Sequence, residues 1–184
     1  MAILRSSLER RLWLAAGGLL AAIYLTLAWV RPVSDALRSW GLLRATMIGA
    51  FLAVAAVAGW ALARTRPRWR EVAVLAPFAV FYVAVLATME RAEEAFHFVQ
   101  YGAFGALVYG ALAARRPDHV RPALGAVLVT GIAGWVDEGI QGLLPERYYD
   151  LRDVGFNALA GVIAAAAITA WRLARRSSRD RMLR

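Results

Sequence analysis

The sequence predicts an all-α fold: a polytopic transmembrane helical bundle of about six spans, with both termini on the cytoplasmic side. Two observations carry that prediction. Hydrophobic residues make up 60% of the chain, at a mean hydropathy of +0.51. The 19% that are charged gather in clumps between apolar blocks. Soluble domains are nearer half apolar and spread about a quarter of charged residues over their surface. Such blocks are the signature of membrane-spanning helices.

The spans follow in chain order at roughly 12–30, 41–63, 72–89, 93–114, 122–144 and 154–172. Each has about the 17–25 residues needed to cross some 30 Å of hydrocarbon. Helices are required, because an open sheet would leave backbone amides unpaired in lipid. The first run has a basic flank but is too long for a cleaved leader, so it reads as a retained signal anchor. Pro77 interrupts the third and is expected to kink it. Short loops predict that consecutive helices pack as antiparallel neighbours. The tail "RRSSRDRMLR" reads as a frayed end with affinity for anionic lipid.

Arginine sets the orientation. All 22 basic residues are Arg, a usage typical of GC-rich bacterial genomes. With the N-terminus inside, sixteen of the 22 fall in cytoplasmic segments, including Arg64, Arg66, Arg68 and Arg70 in one loop. Basic residues kept on the cytoplasmic side orient the bundle in a bacterial inner membrane. The net charge of +9 does not imply nucleic acid, because these arginines sit at span edges rather than along one solvated face. With no cysteine there is no disulfide, thiol nucleophile or thiolate-bound cluster. Trp13, Trp29, Trp40, Trp60, Trp69 and Trp171 lie near span ends, where belt anchoring explains them.

Polar residues inside the apolar second half point to a site. Glu94, His97 and Tyr101 share one helical stripe, at i, i+3 and i+7. Asp137 and Gln141 share another, with Glu138 turned about 100° away. Asp153, Asn157 and Gly161 make a third. Gly102, Ala106 and Gly110 form a small-residue stripe suited to close helix approach. All three polar stripes reach the outer third of the membrane, so they are expected to enclose a pocket beneath the outer loop at 145–153. An ionised carboxylate at mid-helix costs about 2.5–3.5 kcal/mol. Asp137 and Glu138 therefore need partners, for which Arg147, His97 and Asn157 are candidates. Asp153 is expected to cap the last helix. Arg147 is expected to pair with Glu146 or Asp150, or to meet a phosphate. Tyr148 and Tyr149 read as interfacial side chains or a lid.

"EEAFHFVQYGAFGAL" and "WVDEGIQGLLPERYYDLRDVGFNALAGVIA" together resemble the VanZ-like family of small bacterial membrane proteins. The matching pattern is Glu94, His97 and Tyr101; then Asp137, Glu138 and Gln141; then Pro145, Arg147, Asp153, Asn157 and Gly161. It covers about residues 90–165. The resemblance implies a VanZ-like core at 90–172, preceded by a three-span region at 1–89 without a recognised motif and followed by a basic tail at 173–184. In the family an acidic–basic pair often precedes the histidine; here Glu93-Glu94 stands there, with Arg91 as a substitute cation. The family's link to glycopeptide (teicoplanin) resistance directs attention to envelope ligands.

Three functions are open at this level. The polar cluster can bind an envelope amphiphile, lipid-linked or glycopeptide-like. It can be a structural knot in an accessory subunit whose partners are other membrane proteins. Or Glu94, His97 and Asp137 can serve as acid and base groups of an intramembrane enzyme. The absence of a G-x-S-x-G elbow or an H-E-x-x-H motif weighs against the third, and no catalytic residue is assigned. Glu94-x-x-His97 is half of a di-iron motif whose second half is missing, so no metal or cofactor is expected.

Overall fold

The computed structural model describes residues 7–89, 91–115, 118–145 and 147–180, the side chains of 178–180 excepted. Among them there are helices and no strand. The elements are α1 (Ser7–Ser39), α2 (Leu43–Arg64), α3 (Trp69–Ala73), α4 (Ala76–Ala87), α5 (Ala92–Ala113), α6 (Val120–Gln141) and α7 (Leu151–Asp180). Five stretches are long and apolar enough to cross a membrane: α1, α2, α3–α4 taken together, α6 and α7. Helix α5 has the length, at 22 residues, but its polar N-terminal half keeps it out of that set.

The boundaries have local causes. At 33 residues, α1 runs well past the expected 12–30 and carries Pro32 inside it. Proline there removes the N–H that would bond the carbonyl four residues back, at Ala28. Pro77 does more than kink the third span. It sits in the first turn of α4, and α3 ends at Ala73, the residue whose carbonyl its ring would meet. Helix α7 continues through the segment expected to fray, as far as Asp180, because Ala and Arg are good helix formers. Residues 181–184 lie outside the described set.

Packing follows chain order only in part. Helix α1 lies mainly against α5, touching α6 and α2 only lightly, and α5, α6 and α7 pack on one another. The expectation of consecutive neighbours holds for α5, α6 and α7 but not for α1, whose packing on α5 crosses the division at residue 89. Small side chains set the crossings. A Cβ placed on Gly105 would lie 3.1 Å from the Gly161 Cα and 3.1 Å from Thr130 Oγ1. One on Gly134 would meet the Asn157 Cβ at 2.6 Å. Gly105, Gly134 and Gly161 thus let α5, α6 and α7 approach closely. The expected Gly102–Gly110 stripe divides between two partners, Gly102 against Tyr82 of α4 and Gly110 against Leu12 of α1. Phe98, Tyr101, Val108 and Tyr109 of α5, with Ile23 of α1, fill the core.

The start of α1, the end of α5 and the end of α7 lie at one end of the bundle, where Leu8, Ala113 and Arg172 line the same groove. At that end buried Glu9 is paired with Arg115, and Arg175 is 3.4 Å from buried Glu71. The other end gathers the N-terminus of α5, the C-terminus of α6 and the α6–α7 loop.

Candidate functional site

That second end holds the predicted cluster. Helix α5 delivers His97 and Tyr101, α6 delivers Asp137, Glu138 and Gln141, and α7 delivers Asn157; all six are buried. The spacing on α6 explains the centre. Gln141 follows Glu138 by three residues and Asp137 by four, so one amide stands over both acids. Its Nε2 donates to Glu138 Oε1 at 2.7 Å and lies 3.5 Å from Asp137 Oδ2. His97 Nδ1 is 3.7 Å from that same aspartate oxygen. The tyrosine stripe closes the floor. Tyr101 donates its hydroxyl to the Ala133 carbonyl at 3.2 Å, and Tyr24 of α1 donates to the same oxygen at 2.8 Å.

Arg147 is the keystone of the loop. Its Nη1 donates to the Gln141 side-chain oxygen at 2.7 Å and its Nη2 to the Leu27 carbonyl at 3.2 Å, next to the turn that Pro32 loosens. It therefore reaches the acids through an amide instead of pairing with Asp150; Glu146 lies outside the described residues. Burial lowers the pKa of this guanidinium, and the nearby Arg31 lowers it further, while Glu93, Glu138 and Asp137 act in the opposite direction.

Several expectations are corrected here. Glu138 stays in the cluster: it is buried, and its added partner is the loop, where the Asp150 N–H donates to its Oε2 at 3.1 Å. The residue that caps α7 is Asp150, whose Oδ1 accepts from the Arg152 N–H at 2.8 Å. Asp153 lies three residues further on, in the first turn. Glu94 leaves the His97 stripe for Arg152, 3.1 Å away, so Arg152 supplies the cation that was sought in Arg91. His97 and Asp137 adjoin, but Glu94 does not join them. Tyr149 is tied back to α6, accepting from Trp135 Nε1 at 2.9 Å, while Tyr148 stays exposed.

Above the network is a cavity of about 310 Å³. Its lining includes Arg31, Arg91, Arg147, Glu93, Glu94, His97, Gln141, Asp153 and Asn157. Asp153 Oδ1 and Asn157 Nδ2, both in that wall, are enclosed without a hydrogen-bond partner, as is Asp137 Oδ1 below. Buried polar atoms of this kind mark a place for a further donor or acceptor. A second cavity of about 750 Å³ adjoins the first. It shares Arg31, Arg147 and Tyr148 with it and is otherwise walled by Leu27, Ala28, Pro32, Leu144 and Pro145, with Asp35 at the same wall. Among the described residues no group of three or more His, Asp or Glu side chains could hold a metal ion.

The contributions of α1 were hidden in the sequence. Tyr24, the Leu27 carbonyl and Arg31 sit in or beside an apolar run whose residues have no motif. The nearest signal is Pro32, which frees the carbonyl of Ala28, next to the Leu27 carbonyl that Arg147 uses. No family model, curated protein or solved structure matches the chain.

Proposed function

We propose that this chain is a VanZ-like multi-pass protein of the bacterial cytoplasmic membrane, crossing six times with both termini inside. Its outward pocket binds the ionic head of an envelope amphiphile, lipid-linked or glycopeptide-like. One observation carries the reading: a chamber walled by both signs of charge adjoins a larger one that adds Leu27, Ala28, Pro32, Leu144 and Pro145 beside Asp35, and Arg31, Arg147 and Tyr148 belong to both. A molecule with a charged head and an apolar tail fits the pair. Arg147 offers the strongest hydrogen bonds, since charged donors bind anionic oxygens about twice as strongly as neutral ones. Asn157 and Asp153 add one donor and one acceptor without partners.

Native mass spectrometry of the protein extracted in native lipids tests this. A retained amphiphile is expected for the parent chain, at reduced occupancy in Arg147→Ala and Asn157→Ala, with helical content unchanged. A parent chain free of amphiphile, or parental occupancy in both variants, refutes the reading. The exposed flank of α2 favours a second reading, an accessory subunit within a larger membrane assembly. Stoichiometric co-purification of a second membrane protein, with the pocket empty, would select it.

A further inference from the structure

The opposite end of the bundle carries a second cavity with a different chemistry. A groove of about 660 Å³ runs between the ends of α1, α5 and α7. Helices α1 and α5 line it with the apolar Leu8 and Ala113, α7 lines it with Ile168, Trp171, Arg172, Arg175 and Arg176, and His119 joins them from the start of α6. The acids nearby are already engaged. Glu9 is paired with Arg115, Glu71 with Arg175, and Asp118 accepts from the Arg121 N–H at 2.9 Å. Arg175 is further held by the Thr65 carbonyl at 3.1 Å. Arg172 lies over the Tyr109 ring at 5.8 Å, and among the described residues neither it nor Arg176 has a carboxylate within ion-pair distance. The groove therefore has a net positive wall.

Three ring nitrogens add to this. Trp171 Nε1 and both nitrogens of His119 are enclosed without a hydrogen-bond partner. An indole N–H can only donate, and a neutral imidazole donates from one nitrogen. Buried donors of this kind call for an acceptor. Two guanidinium groups plus two ring donors, beside apolar side chains at the end of a membrane bundle, match one chemistry: a phosphate joined to hydrocarbon.

We propose that this groove binds the phosphate of an anionic phospholipid, with Arg172 and Arg176 on the phosphate oxygens, Trp171 and His119 as neutral donors, and the glycerol and upper acyl chain along Leu8 and Ile168. The site is separate from the pocket at the other end and does not depend on what that pocket holds. It differs from diffuse attraction of a basic surface to a negative leaflet, which would depend on charge and not on which arginines supply it.

Full-length protein in nanodiscs of phosphatidylcholine, titrated with phosphatidylglycerol and followed by the fluorescence of its tryptophans and by native mass spectrometry, separates these cases. The double variant Arg172→Gln/Arg176→Gln is expected to weaken phosphatidylglycerol binding about tenfold or more. The charge-matched double variant Arg10→Gln/Arg121→Gln, whose sites lie outside the groove, is expected to leave it unchanged. Trp171→Phe, which keeps an aromatic ring but removes the indole N–H with its five-membered ring, is expected to weaken binding several-fold by mass spectrometry and serves as the test should the arginine variant not fold. Equal losses in the two arginine variants, or no loss in Trp171→Phe, would overturn the proposal. Displacement of the lipid by millimolar inorganic phosphate would also overturn it, as a site for the free anion.

Discussion

Helices α2 and α5 are each 22 residues long, and they are opposites. Helix α2 is apolar almost throughout, and none of its residues is buried. Helix α5 carries Glu93, Glu94, His97 and Gln100, and nine of its residues are buried. In a soluble protein the ranking would be reversed. In lipid an apolar side chain gains nothing by leaving its solvent, so association rests on close packing and on polar groups finding one another. The helix least suited to hydrocarbon becomes the centre, and the one best suited to it becomes the flank.

Substitutions can break that comparison. The largest effect is expected where α2 is given what α5 already has. Ala53→Asp, on the exposed middle of α2, should reduce insertion by about 3 kcal/mol in a translocon assay. Survival of that variant with parental efficiency would mean that α2 is covered by protein. Next, Gly134→Leu should lower stability by about 2–3 kcal/mol in a thermal melt in detergent, since Asn157 occupies the space. Gly49→Leu on α2, where nothing lies within 4 Å, should stay within about 0.5 kcal/mol.

Smaller changes sharpen the picture of the network. Gln141→Leu removes the amide between Glu138 and Arg147 and should cost about 2 kcal/mol, read by chemical denaturation in mixed micelles. A neutral result would assign the amide to ligand binding alone. Tyr24→Phe should cost less than the loss of the amide, about 0.6 kcal/mol, because Tyr101 still donates to the Ala133 carbonyl. A loss several times larger would show that α1 is held to α6 mainly by that one hydroxyl.

Much of the site was legible because it is local. His97 and Tyr101 on α5, and Asp137 and Gln141 on α6, are spaced by helical turns, so their shared faces follow from the repeat alone. Gly161 was also readable as part of an inward stripe, although not that it meets Gly105. The capping of α7 was misread by three residues, because Asp150 and Asp153 are both suitable caps and only the path of the loop chooses between them. The pairing of Glu94 with Arg152 joins residues 58 apart in the chain, and no helical period reports such a distance.

By itself the sequence determined that this protein is helical, that its helices are long and apolar enough for a bilayer, and which faces of α5, α6 and α7 carry polar groups. These are properties of short segments, set by the 3.6-residue turn and by the cost of unpaired backbone in lipid. Only the tertiary structure decided that α1 packs mainly on α5, that Arg147 reaches the acids through Gln141 and grips the Leu27 carbonyl, and that two chambers share one arginine wall. Those choices depend on which surfaces meet. In a solvent that rewards no apolar burial, the meeting is set by the fit of glycines and the pairing of a few buried polar atoms far apart in the chain.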